Sequence, residues 1–170
     1  RSYKKGIADF NLKLTNEPAA AEVIAELEPA FSRRRWSEVV FCGFGEPTAR
    51  LDVLLEVAQW IKKHFSSVPI RLDTNGHGYA LNKGRDVAME LKTAGVCKAS
   101  VSLNGYNEET YNENCRSKLP NPYALVLEFV SKAKTYIEVE VTAVRMPEVD
   151  VQKAKGVAEE LGVQFRVRDY

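Results

Sequence analysis

Val39-Val40-Phe41-Cys42-Gly43-Phe44-Gly45-Glu46-Pro47-Thr48 reads as a buried strand that enters a tight glycine turn and ends on a carboxylate. The apolar, β-branched run Val39 to Phe41 supplies the strand. Gly43 and Gly45 permit positive φ and close approach of a ligand to the backbone. Pro47 stiffens the exit and has no N–H to offer. Glu46 is thereby held at the carboxyl end of a strand, where parallel α/β sheets and barrels place their ligands. The same residues also suit an ordinary strand-to-helix loop with a solvated glutamate.

Outward from this stretch the pattern alternates. A helix is expected over Ala49 to Phe65, with Leu51, Leu54, Leu55, Ala58 and Ile61 at helical spacing. Upstream, Asn16-Glu17-Pro18 reads as a helix start that carries Val23, Ile24 and Leu27 inward, with Pro29 ending or kinking the helix. Arg1 to Thr15 reads as a loop with a short extended piece at Phe10 to Leu14. Downstream, strand Ile70 to Thr74 runs into Asn75-Gly76-His77-Gly78. Helix Asn82 to Ala94, stopped by Gly95, leads to strand Lys98 to Leu103. A short helix over Glu108 to Asn114 and a longer one from Pro122 to about Thr135 precede strand Tyr136 to Val144. Helix Val151 to Leu161 and strand Gln164 to Arg168 complete the series. Strands each preceded by a helix argue for parallel βαβ units with right-handed crossovers. A flat doubly wound sheet and an open barrel both fit that pattern.

The 170 residues and 45% hydrophobic content suit one domain with one sizeable core. Lys+Arg 24 against Asp+Glu 23 leaves a net charge of +1, with no basic excess to attract nucleic acid and no acidic tail. The apolar runs are strand length, so none spans a membrane, and no signal peptide is visible. The three cysteines, Cys42, Cys97 and Cys115, form no CxxC pair. Their odd number and wide spacing argue against a disulfide framework and for a reducing, cytoplasmic setting. Cys42 is expected to pack in its strand, Cys97 to be a small core residue and Cys115 a loop thiol.

A parallel sheet gathers its strand carboxyl ends at one edge. Here that edge collects Glu46, then Asp73, Thr74, Asn75 and His77, then Ser102 and Asn104. His77, between two glycines, reads as a flexible, exposed side chain, with a catalytic histidine as the alternative. Glu140 and Thr142 lie inside the fourth strand, and Arg166 and Arg168 inside the fifth. Glu140 alternates with Val139 and Val141, so it faces either a barrel interior or solvent on an edge strand.

Three of these segments resemble motifs of the radical S-adenosylmethionine (radical SAM) superfamily. Gly43-Phe44-Gly45-Glu46-Pro47-Thr48 resembles its GGEP motif, with one glycine displaced. Leu72-Asp73-Thr74-Asn75-Gly76 resembles its third-strand LxTNG segment, and Ser100-Val101-Ser102-Leu103-Asn104-Gly105 its fourth-strand SLNG segment. Within the superfamily the chain is most similar to the TatD-linked radical SAM proteins, from the opening RSYKKG through FRVRDY.

The resemblance implies an α/β fold: a parallel (βα) partial TIM-type barrel lacking its first strand, with about five strands and flanking helices, as one domain over residues 1–170. The open edge of such a barrel is expected to pair with another copy or to be covered by a changed strand order. The implied cofactor is S-adenosylmethionine. Glu46 and the backbone of Gly43, Phe44 and Gly45 would hold its ammonium, and Thr74 and Asn75, beside Asp73, would serve its carboxylate. Ser102 and Asn104 would hold its ribose, and the backbone at Val144 and Val167 its adenine. A 4Fe-4S cluster would cleave it reductively to a 5′-deoxyadenosyl radical that abstracts hydrogen from a substrate. The CxxxCxxC cluster motif is absent, so the chain reads as truncated at its N-terminus, unable to bind the cluster alone and inactive by itself. The implied partners are an electron donor such as flavodoxin or ferredoxin and a TatD-type hydrolase, with the substrate chosen by barrel-interior side chains such as Glu140 and Arg166. Two other readings stand beside this one. The first is a metal-free βα enzyme using Glu46, Asp73 and His77 on a small polar substrate, and the second is a non-catalytic binding module.

Overall fold

The computed structural model describes residues 16–43 and 45–169, so Phe44 and the extended piece expected at Phe10 to Leu14 lie outside it. Five parallel strands alternate with helices: α1 (Ala20–Arg33), β1 (Val39–Phe41), α2 (Leu51–His64), β2 (Ile70–Thr74), α3 (Gly78–Leu81), α4 (Val87–Ala94), β3 (Lys98–Ser102), α5 (Glu108–Cys115), α6 (Pro122–Ala133), β4 (Glu138–Val144), α7 (Val151–Glu160) and β5 (Gln164–Arg168). The strand order is β1-β2-β3-β4-β5, with no reversal. A doubly wound sheet reverses its order at a switch point. Right-handed crossovers in an unreversed order put every helix on one face, which is the arrangement of a barrel wall. The open barrel therefore holds, and the flat doubly wound alternative does not. The expected change of strand order is also not found, and β1 stays at an edge with β2 its one neighbour among the described residues.

Register decides which side chains meet the helices. Ile70, Leu72, Ala99, Val101, Val139 and Val141 line up across β2, β3 and β4 and are buried against Leu54, Ile61, Leu91, Val126 and Phe129. Each such side chain contributes about 1.5–3 kcal/mol on burial. The alternate positions are polar: Arg71 and Asp73 on β2, Lys98, Ser100 and Ser102 on β3, Glu140 and Thr142 on β4, Arg166 and Arg168 on β5. Among the described elements no helix covers this second face. All-parallel sheets with one polar face are stable when the face curls inward as a barrel interior.

Several boundaries differ from the periodicity. α1 begins at Ala20, because Glu22 accepts a hydrogen bond from the Ala19 N–H at 2.7 Å and caps the helix there, while Glu17 pairs with Arg50 instead. Pro29 sits inside α1 without ending it. The helix expected over Asn82 to Ala94 is two pieces, α3 and α4. Gly84, at φ +81°, turns the chain between them, and the Asp86 carboxylate caps the new start by accepting from Met89 N–H. Cys42 and Cys97 are exposed rather than packed, since Cys42 falls just past β1 and Cys97 just before β3. Cys115 ends α5 and packs against the core.

Candidate functional site

At the carboxyl end of β1 the chain enters a single 3-10 turn, Pro47–Arg50, whose cap is Glu46. The Glu46 carboxylate gathers four donors. Oε1 accepts from Thr48 N–H at 3.0 Å, Thr48 Oγ1 at 2.7 Å and Thr74 Oγ1 at 2.7 Å. Oε2 accepts from Asn75 N–H at 2.8 Å. Thr48, fully buried, was not among the residues singled out from sequence, although a threonine two places past a capping carboxylate is a recognisable turn signal. Glu46 is thus first a knot that ties the end of β2 to the end of β1. Oε1 is filled, and Oε2 keeps a lone pair for a ligand.

The β2 exit continues the knot. Thr74 Oγ1 accepts from Gly76 N–H at 3.0 Å, and Asn75 Oδ1 from His77 N–H at 2.9 Å. The Thr74 hydroxyl and the Asn75 backbone N–H are therefore spent inside the protein, and among the described residues the Asn75 Nδ2 stays available as a donor to a ligand. Gly76 has φ +79°, and a Cβ there would lie 3.1 Å from Val101 Cγ1 and Val126 Cγ1, so the loop needs glycine twice over. Asp73 points to the helix-free face and binds Arg71, away from Glu46.

His77 is buried, not exposed. Its Nε2 meets the Tyr111 hydroxyl at 3.2 Å. Burial pushes its pKa below the usual value, partly opposed by a hydrogen bond to the Pro122 carbonyl and by the charge on Glu46, so the ring is neutral near pH 7. Burial pushes the Tyr111 hydroxyl and the nearby Cys115 thiol up. The Asn104 Oδ1 accepts from Val144 N–H at 3.1 Å, and the Asn104 carbonyl accepts from Asn114 Nδ2 at 2.6 Å. Two polar clusters therefore meet on α5: Glu46, Thr74, Asn75 and His77 tie the ends of β1 and β2 to Tyr111, and Asn104 ties the ends of β3 and β4 to Asn114. Sequence reading places Glu46, Thr74, Asn75, Asn104 and Val144 here but misses Tyr111 and Cys115, because α5, which carries both, reaches the strand ends only through tertiary packing.

Ser102 stands apart from those clusters, on the helix-free face, and accepts from Arg168 Nη2 at 3.1 Å. The Val167 side chain, aligned with Ala143, lies on the helix side. Gly43 and Gly45 are exposed at a groove of about 730 Å³ lined by Phe41, Glu46, Val53 and Val57, and no atom would obstruct a ligand beside Gly45.

Below the strand ends, Glu140 is buried on the same helix-free face. It accepts from Ser100 Oγ at 2.8 Å and from Arg166 Nη2 at 2.7 Å, and Lys98 Nζ lies at 3.6 Å. Burial opposes its ionisation, but the Arg166 and Ser100 hydrogen bonds outweigh it and hold the carboxyl at about 2. Glu140 therefore faces the barrel interior and not solvent, and β4 is an inner strand.

The donor set suits the polar parts of S-adenosylmethionine. Glu46 Oε2 offers a charged acceptor for an ammonium, and the half-buried amides of Asn75 and Asn104 offer mixed donors and acceptors for hydroxyls. A 4Fe-4S cluster does not fit the described residues. They contain no group of three His, Cys, Asp or Glu able to hold a metal, and Cys42, past the carboxyl end of β1, and Cys97, before the amino end of β3, lie at opposite ends of the strands. No helix among these residues is long and apolar enough to cross a membrane.

Comparison with known proteins agrees with this geometry. The family model described as the Radical SAM superfamily matches residues 11–161. A GTP 3′,8-cyclase from Paenarthrobacter nicotinovorans is 32% identical over 98 residues, which are 58% of this chain and 26% of the cyclase. Among solved structures, TYW1 with a lysine-pyruvate adduct bound superposes at TM-score 0.61 and 16% identity, over 88% of this chain and 48% of TYW1. A radical SAM methyltransferase from Sphaerobacter thermophilus superposes at TM-score 0.55 and 14% identity, over 92% of this chain and 59% of the methyltransferase. The chain thus spans about a quarter of the cyclase and about half of TYW1.

Proposed function

Since this chain belongs to the radical SAM superfamily, a family of enzymes, we propose that it is the S-adenosylmethionine-binding core of such an enzyme. The observation that carries this reading is the convergence of Glu46, Asn75 and Asn104 at one sheet edge, in three segments that resemble the family's motifs. With a 4Fe-4S cluster held by residues other than the described ones, S-adenosylmethionine bound at this edge would supply the radical chemistry of the family. The cluster's thiolates come from outside the described residues, and the core by itself is inactive in this reading. Glu46 Oε2 and the carbonyls around Gly43 and Gly45 hold the methionyl ammonium. Asn104 orients the ribose and, through Val144 N–H, fixes the β4 backbone near the adenine.

The proposed electron donor is a flavodoxin or ferredoxin, and the TatD-linked subgroup with a TatD-type hydrolase as partner is the proposed context. Substrate choice falls to the helix-free face. The test is anaerobic iron and sulfide reconstitution of the full-length protein, followed by reduction in the presence of S-adenosylmethionine. The expected products are 5′-deoxyadenosine and methionine, formed by the native protein and lost in Glu46→Ala. A full-length protein that takes up no iron and binds no S-adenosylmethionine would overturn the reading.

A further inference from the structure

The helix-free face is a ladder of charges whose lower rungs are neutralised within the protein. Arg71 pairs with Glu38 and Asp73. Lys98 pairs with Glu138 and Glu140, and Arg166 with Glu140. Arg168 is the exception. It is the rung nearest the carboxyl ends of the strands, aligned with Val144 and bonded to Ser102. Among the described residues it has no carboxylate partner, and its Nε is buried with no hydrogen-bond acceptor at all. Arg145 and Asp169, its neighbours at this end, pair with each other instead.

A half-buried guanidinium with one side-chain acceptor among the described residues for five N–H donors is poorly served by them. Its planar fork matches a carboxylate or a phosphate, and a site between low-dielectric walls strengthens that attraction. Ser102 holds the group in place without neutralising it. The position is the ligand-binding end of the sheet, beside the Asn104–Val144 contact.

We propose that Arg168, steadied by Ser102, is the receptor for an anionic group, a carboxylate or phosphate, on a molecule bound at the mouth of the barrel. This rests on the radical SAM reading only in naming two sources for the anion: the methionyl carboxylate of S-adenosylmethionine, or the substrate. The other polar groups at this end support the assignment, because the Thr74 hydroxyl and the Asn75 backbone N–H are committed to Glu46, and the Asn75 Nδ2 offers an anion a donor without a charge.

The experiment compares the reconstituted full-length protein with Arg168→Gln and Arg168→Lys by calorimetry. The titrants are S-adenosylmethionine, its decarboxylated analogue, and inorganic pyrophosphate added to protein already loaded with S-adenosylmethionine. Losing a charge-assisted pair weakens binding about 10- to 100-fold. If Arg168→Gln loses that much for S-adenosylmethionine and nothing for the decarboxylated form, the anion is the methionyl carboxylate. If it loses pyrophosphate alone, the anion belongs to the substrate. Arg168→Lys keeps the charge but loses the planar fork, so it should lose part of the affinity that Arg168→Gln loses, and that partial loss against the native protein carries the test if Arg168→Gln melts early. Undiminished S-adenosylmethionine binding in Arg168→Gln, with pyrophosphate bound equally or by neither protein, overturns the proposal. A native protein that binds pyrophosphate through Arg168 but no S-adenosylmethionine would sink the radical SAM reading and leave the anion receptor standing.

Discussion

Glu46 and Thr74 stand 28 residues apart in the chain and meet at 2.7 Å, the Thr74 hydroxyl donating to Glu46 Oε1. The contact joins the first two strand ends and passes on to Gly76 N–H. Thr74→Val keeps the shape and removes both hydrogen bonds. It should cost about 1–3 kcal/mol, seen as a Tm lower by several degrees in circular dichroism. Thr74→Ser should recover most of the loss. Glu46→Gln should cost more, because its amide sets a donor against N–H and O–H groups that already donate. An unchanged Tm in both Thr74→Val and Glu46→Gln would mean that the knot is dispensable.

The Glu140 carboxyl carries an acid-stability prediction. Its folded value of about 2 lies below the ordinary 4.5, so the unfolded chain binds the proton more readily. Its stabilisation is complete above the ordinary value and is lost as pH falls from there through the folded value. The whole effect is at most about 3 kcal/mol. Denaturant midpoints measured across this window should fall steeply for the native protein and less steeply for Glu140→Gln. Parallel curves would place the acid sensitivity elsewhere.

Two glycines should respond in opposite directions. A Cβ on Gly105 would lie 2.5 Å from Tyr111 Cα and 2.8 Å from the Thr110 carbonyl carbon, backbone atoms that cannot swing aside. Gly105→Ala should therefore displace α5 from the sheet, at about 2–4 kcal/mol. Gly156 lies within α7 with no atom inside 4 Å of the new methyl. Gly156→Ala should stabilise by roughly 0.5–1 kcal/mol through helix propensity. Urea melts of the two variants read both signs at once.

The three thiols should divide by burial. Cys42 and Cys97 are exposed, whereas Cys115 is held against Tyr111 and Asn104 with its pKa raised by burial. Brief iodoacetamide treatment of the folded protein, followed by peptide mass mapping, should label the first two and spare Cys115. Denaturant should expose all three. Early labelling of Cys115 would show that α5 opens readily.

Much of this fold is legible in the sequence because strands and helices differ in hydrophobic period. β2 and β5 fall on their predicted bounds, and Ile70, Leu72, Val139 and Val141 take the helix-facing side that alternation requires. The site is legible to the extent that strand ends collect polar residues, which brings Glu46, Asn75 and Asn104 together. The partners of those groups are less so. Nothing local to His77 predicts that Tyr111, 34 residues on, will cover it, and its flanking glycines suggest exposure. Asp86 could have been found as a cap, yet the long apolar periodicity of its neighbours hides the break before it. Asp73 alternates correctly, but its salt bridge with Arg71 shows that a residue in a motif can face away from the motif's ligand.

The unreversed strand order has a kinetic consequence. Every strand pairs with the strand next to it in sequence, so each βα unit finds its docking surface on the unit made just before it. Loop-closure entropy stays small at every step, and no unit waits for a distant one. During synthesis the wall can grow from β1 toward β5 at the pace of translation, with each helix shielding the apolar face of the strand beside it. The addition of β5 then brings Arg166 over Glu140 and Arg168 over Ser102, so these pairs on the helix-free face wait until the fifth of the strands has been made.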